Sequence, residues 1–404
     1  MLTTPTRKRA VIIGAGPMGF ETALRALDRG FEVTMLEAGR VGENIRQWQH
    51  VRFFSPFGMN ISPRIRQALS GNKIPPDDAI LTGGEFVEAV LEPLSRLPAF
   101  DGKLHCGQRV VSVARAMLGK MGLPGHPLRK ERPFRILTED VEGKENIFEA
   151  DLVFDASGVY RQPNWAGTAG MPALGERALG NRIVRHLSDF DGKEFERYAG
   201  KSVLLIGHGH SSAHASLALS NILKRAPSTQ VTWAVRTDRT KPILEIPDDP
   251  LPERASIAEA ANALAQAPPQ NFRVLRRAAL EALAVAPQQP AHAKTQRLKV
   301  KLKVWRNFEE FEVDEVIALT GYRPNLEMLR ELTAEFSGVS EGVAGLYRAL
   351  TNVTDCLAKI EINPKDLQSG ESNFFAVGIK SYGRNPGFLL KSGVEQLEAI
   401  FSLL

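Results

Sequence analysis

The chain has 404 residues, 43% hydrophobic and 24% charged, a globular composition long enough for two or three domains with their own cores. Its formal charge of +5 is mild for this length and no run of five or more basic residues occurs, which argues against nucleic-acid binding. Two cysteines, Cys106 and Cys356, stand 250 positions apart, so no disulfide framework is expected and a reducing, cytoplasmic compartment is the default. The basic stretch Thr3–Ala10 is followed by an apolar run of only Val11–Ile13, too short for a signal peptide. No segment approaches the roughly 18–20 apolar residues of a membrane span. Neither a membrane nor a metal site is expected.

The first element is the β-branched run Ala10–Ile13, followed at once by Gly14-Ala15-Gly16-Pro17-Met18-Gly19. Phe20–Arg29 then has helical spacing, and Phe31–Leu36 reads as a second strand ending in Glu37 and Ala38. Each glycine has a use in such a unit. Gly14 permits the turn, Gly16 lets the backbone approach a pyrophosphate, and Gly19 lets the helix pack on the strand. The helix N-terminus offers unpaired N–H groups to phosphate. Glu37 lies 23 positions after Gly14, where an acid can accept from a ribose diol and disfavour a 2′-phosphate. The site is therefore read as one for FAD or NAD rather than NADP.

After the second strand comes a mixed stretch from Trp48 to Asn60, in which aromatics alternate with Arg52, Ser55 and other polar residues. It reads either as a ligand-facing loop or as a packed aromatic loop with a surface arginine. Cys106 precedes a valine-rich strand and is expected to be a buried structural thiol, whereas Cys356 lies in a polar stretch. Asp151–Asp155 is a strand running into the small-residue turn Ala156-Ser157-Gly158.

Lys201–Ile206 opens a second strand–turn–helix unit with Gly207-His208-Gly209-His210-Ser211-Ser212-Ala213, where Ser212 replaces the third glycine. Helix Ala213–Leu223 and strand Val231–Val235 follow, and this strand ends in Arg236, with Arg239 and Lys241 nearby. Guanidinium attracts a 2′-phosphate, so the second site is read as NADPH-binding. Read plainly, the two arginines are surface charges at a strand end. His208 and His210 are read as loop residues with phosphate or ribose contact open to them. Pro252–Gln266 is a predicted helix, Ala284–His292 a loop, and Arg297–Lys303 a strand with one solvated face. Val313–Thr320 is a further strand, leading into Gly321-Tyr322-Arg323-Pro324. Near the end, Phe374–Val377 is a strand, Gly378 to Gly387 a turn containing Lys380 and Arg384, and a helix starts at about Phe388.

The glycine motifs, the Ser157-Gly158 and Gly321-Tyr322 turns and the segment Phe374–Gln396 together resemble the flavin-containing monooxygenase and thioredoxin-reductase-like group of two-dinucleotide flavoproteins. The resemblance implies an α/β protein with two Rossmann-like domains. An NADPH domain (166–319) is inserted into a discontinuous FAD domain (1–165 and 320–404). It implies a flavin pocket drawn from Trp48, Arg52, Ser55 and Asn60, and flavin contacts from Gly378 and Phe388. A charge for reduced FAD would come from Lys380 and Arg384. His186-Leu187-Ser188-Asp189-Phe190 resembles the second half of the monooxygenase signature; the first half is absent, Gly180 and Arg182 standing there. His186 is a candidate on that ground, or else a linker histidine. No CxxC occurs, which argues against reduction of a resident disulfide.

The leading expectation is an NADPH-dependent monooxygenase in which O₂ adds at flavin C4a and one oxygen passes to an N or S nucleophile, or to a ketone. A reductase feeding a quinone or ferredoxin, and a non-catalytic FAD- and NADPH-binding sensor, stay open. A small-molecule substrate and molecular oxygen are the expected partners, and the oligomeric state, a homodimer included, is open.

Overall fold

Strand Arg9–Ile13 is buried along all but its first residue, because parallel neighbours flank it on both edges and both its faces are covered. The computed structural model describes residues 7–287, 296–351 and 362–404. The chain divides into two compact units, Met1–Gln162 with Tyr322–Leu404, and Pro163–Gly321. Cys356 and most of the predicted loop Ala284–His292 lie outside the described residues.

The first unit is built on a five-stranded parallel sheet in the spatial order Phe374–Ala376, Leu152–Asp155, Arg9–Ile13, Glu32–Glu37, Leu104–Cys106. Helix Pro17–Asp28 connects the third of these to the fourth, the βαβ unit expected from the glycine motif. Phe154 stacks between Phe375 (5.6 Å) and Phe401 (5.4 Å), which fastens helix Leu390–Phe401 to the sheet. Fully burying such a ring contributes about 1.5–3 kcal/mol. An antiparallel sheet, Arg109–Arg115, Phe134–Glu139 and Glu145–Ala150, completes this unit.

The second unit repeats the plan. Its parallel sheet has the order Phe272–Leu275, Gln230–Ala234, Ser202–Ile206, Glu315–Ala318, Ile183–Val184, with helix His210–Arg225 after the central strand. Its antiparallel sheet is Ala278–Val285, Leu298–Val304 and Asn307–Val313. The predicted strand Val313–Thr320 is two strands broken at Asp314, whose carboxylate accepts from the Ser202 backbone at 2.8 Å. Ala284 and Val285, expected in a loop, end a paired strand. The predicted helix Pro252–Gln266 forms over those residues. Among the described residues no helix is long and apolar enough to cross a membrane.

One buried charge cluster holds the first unit's antiparallel sheet to the segment that leads into Phe374–Ala376. The Glu371 carboxylate, fully buried, accepts from Arg115 (2.9 Å), from Arg129 (2.9 Å) and from the Thr333 amide and hydroxyl (2.9 and 2.8 Å). Arg115 also lies 3.7 Å over the Phe134 ring. Burial alone would raise the Glu371 pKa, but the bonds from Arg129, Thr333 and Arg115 outweigh it and hold the group below its ordinary value. A depressed carboxylate gives stability that is present above the ordinary pKa of 4.5 and is lost as pH falls through the folded value. Replacing Glu371 by Ala strands two buried guanidinium groups. Urea denaturation at neutral pH should show a loss of about 3–5 kcal/mol, and a loss below 1 kcal/mol would contradict this assignment.

Candidate functional site

The first cradle begins where strand Arg9–Ile13 ends. Gly14 has φ +104° and a Cβ there would sit 2.8 Å from the Ala156 carbonyl oxygen; a Cβ on Gly19 would sit 2.0 Å from the Gly14 oxygen. Both positions are thus explained by packing inside the chain. Gly16 is different: a Cβ there meets nothing within 4 Å. The turn is shaped to leave space, as an approaching phosphate requires. Helix Pro17–Asp28 begins at Gly16 with no side chain capping it, so its first amides are left to an anion.

Glu37 closes the cradle. One carboxylate oxygen accepts from the Ala15 amide and the other from the Gly39 amide, both at 2.8 Å. The acid therefore braces the turn and lines a cleft beside it. Of the residues singled out by sequence, Gly14, Glu37, Ala38, Ser157 and Gly158 line this cleft. Asn44, Gln108, Arg109, Arg161, Asn325 and Met328 line it too and carry no motif. Their only sequence signal is topological: strand Leu104–Cys106 pairs with the end of Glu32–Glu37, so the turn after it must reach Glu37, and the Gln108 amide donates to the Glu37 carbonyl at 2.8 Å.

Other sequence candidates are engaged elsewhere. Pro17 is the first helical residue, and Met18 packs beneath Gly378 and Gly393 rather than lining the cleft. The Ser55 hydroxyl donates to Asn60 Oδ1 (2.9 Å), and Asn60 Nδ2 donates to the Ser55 and Pro56 carbonyls (3.0 and 3.2 Å). The two buried residues fasten their own turn. Arg52 donates to the Ile80 carbonyl at 3.1 Å, and Trp48 packs edge-on against Phe53 and over Gly83. Gly378 adopts φ +65° and donates to Gln396 Oε1 at 2.9 Å. Phe388 packs edge-on to Tyr382, and helix formation starts at Leu390. Arg384 lies 4.0 Å from Glu341, which is paired more closely with Arg323. Lys380, expected to face a ligand, is instead buried in an ion pair with Asp155 at 3.0 Å; the interior carboxylate holds it. Tyr322 stacks on Tyr160 with centroids 4.3 Å apart. Cys106 is exposed on the edge strand, not buried as expected, because an edge strand is covered on one side only. Partial desolvation and the charge of Glu37 push its thiol pKa up.

The second cradle has the same geometry with different chemistry. Gly207 has φ +137°, and a Cβ there would lie 2.4 Å from the Leu319 carbonyl oxygen; one on Gly209 meets nothing within 4 Å. Ser212 does what a third glycine cannot: its buried hydroxyl bonds the Gly209 amide and carbonyl, each at 3.0 Å. Trp233 donates to the Gly207 carbonyl at 2.8 Å and fixes the turn to the neighbouring strand. Ser211 is exposed in the first helical turn. Arg236 is exposed; Arg239 is held by the Thr237 hydroxyl (3.2 Å) and the Pro242 carbonyl (3.2 Å), so its backbone path is set. Gly321, at φ +81°, ends this unit, and His186 is half-buried just after strand Ile183–Val184.

Burial lowers the His208 pKa, and the charges of Arg236 and Arg239 lower it further, which places both arginines within electrostatic reach of the turn. His210 is lowered by burial and Arg254, with Asp249 opposing. A depressed histidine gives stability that is present above its ordinary value of 6.5 and is lost as pH falls through the folded value. The unfolding free energy should therefore decline as pH drops below 6.5, and His208→Gln should flatten that decline. Added pyrophosphate should do the same in the native protein by neutralising the arginines. A pH profile unchanged by the substitution would contradict this. Gly16→Ala should leave the unfolding midpoint unchanged, since the space is open, and should weaken binding of an adenine dinucleotide at the first cradle; unchanged binding by titration calorimetry would remove the reason for the gap.

The family described as pyridine nucleotide-disulphide oxidoreductase matches residues 8–342. No curated relative matches the sequence. Among solved structures, the chain resembles bacillithiol disulfide reductase Bdr (YpdA) from Bacillus cereus, with 17% identity, 98% of each chain covered and a TM-score of 0.71. It also resembles ornithine hydroxylase (PvdA) from Pseudomonas aeruginosa (13%, 98% of each chain, 0.62) and T. acidophilum thioredoxin reductase (16%, 98% of each chain, 0.59). At these identities the likeness is one of fold.

Proposed function

We propose a function from one premise: the chain belongs to the pyridine nucleotide-disulphide oxidoreductase family. It is an oxidoreductase with FAD in the first cradle and NADPH in the second. The observation that carries this reading is the contrast between two otherwise matching turns. The first strand pair ends in Glu37, which accepts from hydroxyls and repels phosphate; the second ends in Arg236 and Arg239, which attract phosphate. When bound, FAD supplies the capacity to accept a hydride and release electrons. The chain supplies the Gly14–Gly19 turn and uncapped helix for the pyrophosphate, and Glu37 for the ribose diol. His208, Arg236 and Arg239 receive the 2′-phosphate of NADPH.

The electrons leave for an acceptor outside the chain. The sequence has two cysteines and no CxxC. Cys106, with its raised pKa, is kept as a thiol rather than the thiolate that disulfide chemistry needs. The leading acceptor is molecular oxygen, with an N or S nucleophile, or a ketone, as the substrate oxygenated. The fold shared with an ornithine hydroxylase supports it by analogy. A second reading is a reductase serving a quinone or other external acceptor. One observation favours it: Asn60, one of the flavin-pocket candidates, is occupied by Ser55 and Pro56.

Replacing Arg236 and Arg239 together by Ala should raise the KM for NADPH by roughly ten- to a hundredfold, from about 1.5–3 kcal/mol of charge-assisted hydrogen bonding, with the KM for NADH little changed. Equal effects on both nucleotides would contradict the 2′-phosphate assignment. The acceptor is tested by reducing the protein with NADPH and mixing it with ¹⁸O₂ in a stopped-flow spectrometer in the presence of amines or sulfur compounds. A transient absorbing species with ¹⁸O in the organic product is the expected result. Direct return to the oxidised spectrum with no labelled product would move the assignment to the reductase.

A further inference from the structure

Lys380 is the one lysine buried to 1% exposure in the described residues, and its ammonium joins three groups, one by charge and two by hydrogen bonds. It pairs with Asp155 Oδ2 at 3.0 Å, donates to the Ser157 hydroxyl at 3.0 Å and donates to the Asn325 carbonyl at 2.8 Å. Asp155, 0% exposed, turns its other oxygen to Ser157, accepting from the amide at 3.1 Å and the hydroxyl at 2.6 Å. Ser157 therefore donates to Asp155 and accepts from Lys380, so its rotamer is fixed from both sides. Ser157 and Asn325 are walls of the cleft that Glu37 closes, and they come from segments far apart in the chain. The lysine itself is anchored. Its short helix, Ile379–Tyr382, is set by Gln396, which accepts from the Gly378 amide at 2.9 Å and donates to the Ser381 hydroxyl at 2.6 Å.

A buried ion pair adds little net stability over an apolar pair of the same shape, because desolvating both charges offsets their attraction. What this pair does add is geometry: one ammonium joins the strand end at Asp155, the turn at Ser157 and the segment at Asn325. We propose that Lys380 is a positioning residue for the dinucleotide in the first cradle. It holds the Ser157 and Asn325 walls at the spacing the ligand needs, with its charge neutralised by Asp155 rather than offered to the flavin. The inference rests on the FAD reading given above.

The test compares the full-length wild type, Lys380→Met, Ser157→Ala and the double variant Asp155→Asn with Lys380→Met. Three quantities are measured on each: the FAD dissociation constant by flavin fluorescence, the unfolding midpoint without FAD, and the NADP⁺ dissociation constant. Lys380→Met leaves Asp155 buried and uncompensated, so its midpoint should fall. The double variant removes both charges with little change of volume and should regain the midpoint. A positioning role requires that it still bind FAD about tenfold or more weakly, with NADP⁺ affinity unchanged, and that Ser157→Ala shift FAD affinity in the same direction. A double variant with wild-type FAD affinity would overturn the proposal. So would midpoint, FAD affinity and NADP⁺ affinity falling together, or failure of both lysine variants to fold, because the pair would then be structural alone. A wild type that takes up no FAD would instead defeat the functional reading on which this rests.

Discussion

A peptide turn that must stay open at its centre cannot hold its shape by filling that centre with side chains. In the first unit the problem is met by Glu37. Its two carboxylate oxygens take the Ala15 and Gly39 amides, so the far end of the second strand grips the turn after the first from outside. The rest of the site follows from that brace. Gly14 and Gly19 are pressed against backbone oxygens, Gly16 is left with empty space over it, and the uncapped helix points its first amides into the same gap. The same group that shapes the turn is thus the acid that sets the first cradle against a 2′-phosphate in the reading proposed above.

The second unit meets the constraint with other atoms. Ser212 bonds the Gly209 amide and carbonyl, and Trp233 holds the Gly207 carbonyl, so no acid is needed to brace the turn. That frees the strand end to carry cations. One backbone design therefore supports two opposite charge preferences. The basic end has a cost, visible in His208, whose proton is disfavoured by burial and by the two arginines. An anion in the second cradle relieves that strain on the local charge balance.

What could be read from the sequence is what depends on local chain geometry. The strand–turn–helix units, the acid at Glu37, the arginines after Val231–Val235, the small-residue turn at Ser157 and the helix Pro252–Gln266 all follow from spacing over a few dozen residues. The cleft's other walls do not. Gln108 and Arg161 line the same cleft as Glu37 because the sheet order brings Leu104–Cys106 and Leu152–Asp155 to either side of the first βαβ unit, and Asn325 joins them from a segment far along the chain. The aromatic and polar run from Trp48 to Asn60 is a case where type misleads: Ser55 and Asn60 satisfy each other, which no periodicity reveals. Lys380 has the same lesson with opposite sign. A lysine after a strand reads as a ligand contact, while its partner, Asp155, sits more than two hundred positions away on the adjacent parallel strand.

The central claim is that one chain holds an FAD and receives a hydride from NADPH. The most direct measurement is an anaerobic titration of the purified protein, following the visible flavin absorbance as NADPH and, separately, NADH are added. The account predicts that the oxidised flavin band bleaches with one equivalent of NADPH and that NADH reduces it far more slowly. A purified protein with no flavin band after loading with FAD, or a band that neither nucleotide bleaches, would contradict it.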